Sequence, residues 1–232
     1  VVAATPYIAL QLQSVVLSFG VFASAAPDGT RPLDPGQIAV WVAVGLAFFT
    51  ILFGTRNLDA REQHHGIVTA IAVEAVVKLV ALLAVGSFVV WGIAGGVADV
   101  IARIDAADLK AWQVSPGRWT GITVLSAAAV ICLPRMFQVM VVENVRESHL
   151  RRAIWLFPLY LLAINLFVLP IALGGLLYFG AGNMNPETFV LSLPLAAGQH
   201  GLALFAFIGG LSAATGMVIV ETIAVSTMVS NE

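Results

Sequence analysis

Six long apolar stretches constrain this chain more than any other feature of its sequence. We place them at about residues 6–23, 37–53, 66–91, 119–142, 153–179 and 202–229. Stretches of roughly 20 apolar residues match the hydrocarbon core of a bilayer, where only helices and closed barrels satisfy the backbone. The composition agrees, because 59% of the 232 residues are hydrophobic and only 10% are charged. We therefore predict an all-α membrane protein with a single transmembrane domain over residues 1–232.

Several kinds of chemistry have no support in the sequence. A net charge of −2 gives no indication of nucleic-acid binding, and the single cysteine, Cys132, lies within an apolar stretch. There is no phosphate-binding glycine loop, zinc-ligand spacing or nucleophile elbow. His64, His65 and His149 fall in predicted loops, and we interpret them as ordinary loop residues. We predict no catalytic residue and no metal site here.

The two ends of the sequence indicate a longer parent chain. The sequence begins at Val1 rather than at a methionine, and it stops at Glu232 directly after an apolar stretch. We therefore expect these residues to be an internal fragment.

The fourth apolar stretch contains Leu133-Pro134-Arg135 near its middle. Proline removes a backbone donor and clashes with the preceding turn, so we predict a broken or kinked helix there. An arginine at mid-membrane costs roughly 2.5–3.5 kcal/mol on insertion scales. A broken helix with a charge at the break is typical of midplane sites in secondary transporters. The alternative is a simple proline kink, with Arg135 reaching toward the cytoplasm.

Polar side chains in two other stretches need partners inside the bilayer. Glu74 and Lys78 lie four residues apart in the third stretch, so they share a helix face and can pair. A structural pair and a role in ion passage both fit this spacing. The first stretch is unusually polar and carries Gln11, so we expect it to face protein or a cavity.

The sixth stretch is rich in small residues, which let helix backbones approach closely. We therefore expect this helix to lie at the centre of the bundle. It also carries Glu221, which needs a partner or water at that depth. The small residues are Gly209, Gly210, Ser212, Ala213, Ala214 and Gly216.

Two shorter helices are predicted between the long stretches. Apolar residues recur at helical spacing from Val97 to Ile104, with Asp99 and Arg103 between them, which indicates an amphipathic helix at the interface. The segment Glu187–Ala197 is apolar but too short to cross a bilayer, and Pro194 interrupts it.

Lysine and arginine in the connections predict the orientation. Short connections after the second and fourth stretches are the densest in basic residues, so we place them in the cytoplasm. The same orientation places Glu232 in the cytoplasm. The basic residues concerned are Arg56, Arg61, Arg146, Arg151 and Arg152.

Four segments together resemble the sodium/solute symporter family, most closely its membrane domain at the front of bacterial sensor histidine kinases. The segments are Tyr7–Ser14, Phe53–Gly86, Leu133–Leu173 and Gly209–Asn231. No single segment is a short diagnostic motif, and their order and spacing carry the resemblance.

The resemblance implies a partial LeuT-like bundle in the bacterial inner membrane. The family has ten core helices in two inverted repeats, and the six stretches would be the third to the eighth of them. Glu187–Ala197 would be an outer capping helix, and the break at Pro134 would belong to the discontinuous sixth core helix. The first core helix, which contributes half of the substrate and sodium sites in the family, has no counterpart among these residues.

Candidate site residues follow from the break and from the resemblance together. We expect Gln11, Pro134, Arg135 and Gln138 to bind solute, with Arg135 and Gln138 facing a central cavity. The family's two sodium-binding hydroxyls correspond to Gly216 and Met217, which have none, so sodium coupling is in doubt. The candidates for ion coupling, whether of sodium or of a proton, are Ala213, Thr215, Gly216 and Glu221.

Two functions from different classes fit these expectations. One is the transmembrane sensory domain of a sensor histidine kinase, which would bind or import an amino acid or carboxylate and signal to cytoplasmic kinase domains and a response regulator. Any enzymatic activity would then belong to the parent chain. The alternative is a cation-coupled solute symporter without a kinase, and a receptor that binds solute without moving it is a third possibility.

Overall fold

The structure is a computed structural model that describes residues 4–24, 34–53, 65–106, 115–144, 146–180, 182 and 184–230. Several residues used in the sequence predictions lie outside these ranges. They are the basic loop residues Arg56 and Arg61, together with His64 and Glu232. The predicted orientation in the membrane therefore stays a prediction.

The described residues form helices and no strand, as the all-α prediction requires. The α-helices are α1 (Ala4–Ser24), α2 (Pro35–Phe53), α3 (His65–Ser87), α4 (Val97–Ala106), α5 (Pro116–Cys132), α6 (Pro134–Phe137), α7 (Glu147–Leu166), α8 (Val168–Phe179), α9 (Phe189–Ala196) and α10 (His200–Ser230). Short π-helical segments follow α3 (Phe88–Ile93) and α6 (Gln138–Val142), and a 3-10 turn (Pro186–Thr188) precedes α9.

Within the described residues, five spans are long and apolar enough to cross a membrane, and six if the bent pair of α5 and α6 counts as one span. They coincide with the predicted stretches except at the start of α7, which begins at Glu147 rather than near residue 153. His149 therefore lies in a helix, and its interpretation as a loop residue was wrong. His65 is likewise the first residue of α3. In both cases the helix extends past the apolar run into polar sequence.

The 31-residue helix α10 is the centre of the bundle, as its small residues predicted. A Cβ atom at Gly209 would lie 3.2 Å from the Ala81 Cβ atom on α3, so the two backbones approach closely there. Further along, Gly216 meets Glu74. Later positions on α10 therefore meet earlier positions on α3, and the two helices run antiparallel.

Near the start of α10 lies the main hydrophobic core, which we call the packed end. Its buried residues come from α3 and its π-helical extension, α8, α9 and α10. The short segment Glu187–Ala197 does form a helical piece, and its Phe189 and Leu193 side chains are fully buried. The residues of the packed end are Val85, Val89, Ile171, Phe189, Leu191, Leu193 and Ala206.

The predicted break in the fourth stretch is present. Leu133 is extended (φ −74°, ψ 127°), as expected for a residue that precedes proline. The helical pieces on either side of it are bent by 47°. The break brings α6 against the later part of α10, while α5 stays exposed along almost its whole length.

The predicted amphipathic helix is α4. Its Val100 packs against Val90 and Ala94, while Asp99 and Arg103 form an exposed ion pair of 3.0 Å. Val100 therefore covers the end of the α3 extension, while Val97 and Ile101 on the same helix are exposed.

Candidate functional site

A pocket of about 140 Å³ lies between α1, the helix break and the last turns of α10. We call it the Arg135 pocket. Pro134 and Arg135 contribute the break side of its wall, and Tyr7 contributes the α1 side. The remaining lining residues are Ala4, Leu133, Glu221, Val225, Met228 and Val229.

Arg135 is held in this pocket by an aromatic ring rather than by a carboxylate. Its guanidinium carbon lies 4.1 Å from the centre of the Tyr7 ring, within the range of a cation–π contact. Its Nη1 atom is buried and has no hydrogen-bond partner among the residues that the structure describes. A buried donor without a partner costs about 1–3 kcal/mol, and more when it is charged. The guanidinium therefore has a hydrogen-bond donor available for an acceptor in the pocket.

Glu221 supplies the second charge of the Arg135 pocket. Its side chain is only 4% exposed and lines the pocket wall on α10. Glu221 follows Met217 by one helical turn, and Met217 accepts a hydrogen bond of 2.9 Å from the Tyr7 hydroxyl. Tyr7 thus contacts both the guanidinium and α10. The pocket contains a guanidinium and a carboxyl group within largely apolar walls.

Gln138 does not share this pocket, although it follows Arg135 by only three residues. Its side chain is 8% exposed and donates a hydrogen bond of 3.3 Å to the Glu143 carboxylate. It lines a small separate space with Val68 of α3 and Val220 of α10. The expectation that Arg135 and Gln138 face one cavity is therefore not met in this structure.

A larger cavity, of about 650 Å³, lies between α2, α3 and α10, and we call it the Glu74 cavity. Glu74 is the charged member of its lining, and the other polar members are Ser212 and Thr215. A Cβ atom at Gly216 would overlap the Glu74 carboxylate, so the absence of a side chain there makes room for it. The expected ion pair with Lys78 is not formed among the described residues.

The predicted ion-coupling residues are divided between two faces of α10. Thr215 and Gly216 line the Glu74 cavity. Ala213 and Glu221 are two turns apart on another face, the one that carries Met217 and meets Tyr7 of α1. Ala213 is buried, while Gln11, one turn beyond Tyr7 on α1, is partly exposed and is not part of the Arg135 pocket wall.

Two residues of these sites were not chosen from the sequence. Tyr7 begins one of the segments that carry the family resemblance, but nothing in the sequence predicted its contact with Arg135. Glu74 was noted as half of a pair with Lys78, and its position against Gly216 was not foreseen. A glycine in one span and a carboxylate in another give no sign of contact unless the register of the two helices is known.

Comparison with known proteins adds nothing to this geometry. No protein-family model, no curated protein and no solved structure matches the chain. Among the described residues, no group of three or more His, Cys, Asp or Glu side chains is placed to hold a metal ion.

Proposed function

We propose that this chain is the transmembrane, solute-binding domain of a bacterial sensor histidine kinase, and that it binds or imports a small amino acid or carboxylate across the inner membrane. The observation that carries the solute site is the buried Arg135 Nη1 atom in the wall of a pocket, which has no hydrogen-bond partner in the described part of the chain. The link to cytoplasmic kinase domains and a response regulator is supported by the sequence resemblance.

Charge and size together favour a small zwitterion. A guanidinium presents paired donors that suit a carboxylate, and Glu221 offers an acceptor for an ammonium group in the same pocket. A volume of about 140 Å³ is well below the roughly 300–1,000 Å³ typical of sites for drug-sized ligands. Alanine and other short amino acids are the kind of solute that such a pocket holds.

The experiment measures solute binding by the full-length protein in detergent. The readout is the shift in melting temperature caused by alanine, succinate or alaninamide. Arg135→Ala is expected to weaken alanine binding about ten- to hundredfold, because charge-assisted hydrogen bonds are worth about 1.5–3 kcal/mol. Arg151→Ala is the matched control, because Arg151 is exposed on α7. Unchanged alanine and succinate affinity in Arg135→Ala would remove the solute site.

The alternative, a cation-coupled symporter without a kinase, is favoured by the broken helix, since transporters place such breaks at their binding sites. Two assays on the full-length protein in liposomes separate the functions. Solute-dependent histidine phosphorylation from ATP supports the sensor kinase. Solute accumulation with no phosphorylation supports the symporter.

A further inference from the structure

The Glu74 cavity contains a carboxyl group that the proposed solute site does not use. It lies on the α3 side of α10, whereas the Arg135 pocket lies on the α1 side. Gly216 is one residue past the middle of the 31-residue helix α10, so Glu74 meets α10 near the middle of its length. Glu221 lies about 7.5 Å closer than Gly216 to the C-terminal end of α10, at about 1.5 Å per residue. Glu74 therefore lies nearer than Glu221 to the middle of α10.

The surroundings of Glu74 offer little compensation for a negative charge. Most of the residues that line the cavity are apolar, among them Phe49, Ile71 and Leu211. The Thr215 hydroxyl donates its hydrogen to the Leu211 carbonyl over 2.8 Å, so only its oxygen lone pairs remain available to the cavity. Such an oxygen accepts a hydrogen bond from a protonated carboxyl group and cannot donate one to a carboxylate.

Other titratable and charged groups near Glu74 are few. Lys78 lies one turn along α3 and makes no ion pair with it among the described residues. Tyr160 approaches from α7, and its hydroxyl donates to the Ala75 carbonyl over 3.2 Å. The residues of α2 and α10 that line the cavity carry no charge. A bound metal cation would also find few ligands, because hard cations take roughly six or more oxygens and this wall has three oxygen-bearing side chains.

We propose that Glu74 is a proton-binding site in the membrane-spanning part of this protein, separate from the solute pocket. Gly216 provides the space that the carboxyl group occupies, and the Glu74 cavity provides its access to water. Coupling of this proton to solute binding rests on the function proposed above, whereas proton binding itself does not. The carboxyl group takes up the proton on its own oxygen and returns it to water, with no other reactant.

The test is labelling with dicyclohexylcarbodiimide of the full-length protein in liposomes, with peptide mapping by mass spectrometry. The reagent adds to a protonated carboxyl group: the carboxyl proton moves to a carbodiimide nitrogen while the oxygen bonds to the central carbon, and the adduct rearranges to a stable N-acylurea that keeps all atoms of both. We expect labelling at Glu74 that falls about tenfold per pH unit at alkaline pH, as for a single titrating group. Replacing potassium with sodium is expected to leave it unchanged.

Two results would overturn the proposal: no adduct at Glu74 at any pH, or protection of Glu74 by sodium, which would indicate a cation site. The exposed carboxylate of Glu147 on α7 is the internal control and is expected to stay unlabelled. Because the labelling is read on the natural sequence, it does not depend on a variant that folds. Glu74→Gln then confirms the assignment of the labelled peptide.

The same preparation separates this proposal from the proposed function. Alanine affinity that varies fivefold or more with pH in the natural sequence and becomes constant in Glu74→Gln supports coupling of the two sites. Labelling of Glu74 together with unchanged alanine affinity in Arg135→Ala would remove the solute site and leave the proton site standing. Loss of alanine binding in Arg135→Ala without any Glu74 adduct would support the solute site and rule out the proton site.

Discussion

Helix α10 faces two very different environments along its length. Near its start, Ala206 joins a packed end of buried aliphatic and aromatic side chains. Further along, Gly216 meets the Glu74 carboxylate and Glu221 lines the Arg135 pocket. We call this second region, with its two cavities, the cavity end. Polar and ionisable side chains are costly inside a membrane, so we infer that the cavity end, where they are concentrated, is the functional region. We infer that the packed end mainly stabilises the fold.

The largest expected effect tests the packed end. Leu193 is 0% exposed, so Leu193→Ala removes fully buried methyl groups and leaves a cavity. We expect a loss of about 2–5 kcal/mol in the free energy of unfolding, seen as a lower melting temperature in detergent. Leu204→Ala is the matched control, because Leu204 is 51% exposed and its loss leaves no cavity. Equal losses in the two variants would mean that the packed end is not the main source of stability.

A glycine pair on α10 tests the contact between Glu74 and Gly216. Gly216→Ala places a methyl group where the Glu74 carboxylate lies, whereas Gly210→Ala meets open space. The alanine at residue 210 is expected to stabilise the helix by about 0.5–1 kcal/mol, and the alanine at residue 216 to cost about 1 kcal/mol. Thermal unfolding measures the difference, and carbodiimide labelling of Glu74 is expected to change in Gly216→Ala alone. Equal stabilisation by both substitutions would contradict the close approach.

Tyr7 tests how Arg135 is positioned. Tyr7→Leu removes the ring under the guanidinium, and we expect a loss of about 0.5–2 kcal/mol in alanine binding, since cation–π contacts have that strength. Tyr7→Phe keeps the ring and loses only the hydroxyl that donates to Met217, so it is the matched control. Titration of alanine into each variant measures the loss. If Phe and Leu weakened binding equally, the hydroxyl rather than the ring would be the important contact.

Some features of the fold could be predicted from the sequence and others could not, depending on whether they arise from local sequence or from helix packing. Apolar length and small residues predicted the spans and the central place of α10, because these depend on local composition. Pro134 predicted the break for the same reason, since the restriction acts on Leu133 directly. The division of Thr215 and Glu221 between two faces of α10 depends on how α1, α3 and α10 are packed, and composition does not specify that.

Inferences about single polar residues were the least complete. Gln138 was grouped with Arg135 because both lie at the helix break, but its side chain donates to Glu143, at the end of the π-helical segment. Because a π-helix bonds residue i to residue i+5, Glu143 lies one wide turn after Gln138, a contact that α-helical spacing does not predict. The structure bears out the all-α class with its membrane-spanning helices, whereas the partial LeuT-like fold and the family remain predictions.

Glu221→Gln tests which of the two carboxyl groups at the cavity end couples an ion, and its expected effect is the smallest. If Glu74 binds the proton, Glu221→Gln keeps acid-driven alanine uptake, and it changes alanine affinity by about 0.5–1.5 kcal/mol, because glutamine keeps an acceptor oxygen for the ammonium group. Succinate, which has no ammonium group, is expected to bind at least as well as before, since a negative charge has left the Arg135 pocket. Loss of acid-driven uptake in Glu221→Gln, with uptake retained in Glu74→Gln, would instead place the coupling site at Glu221, as the sequence predicted.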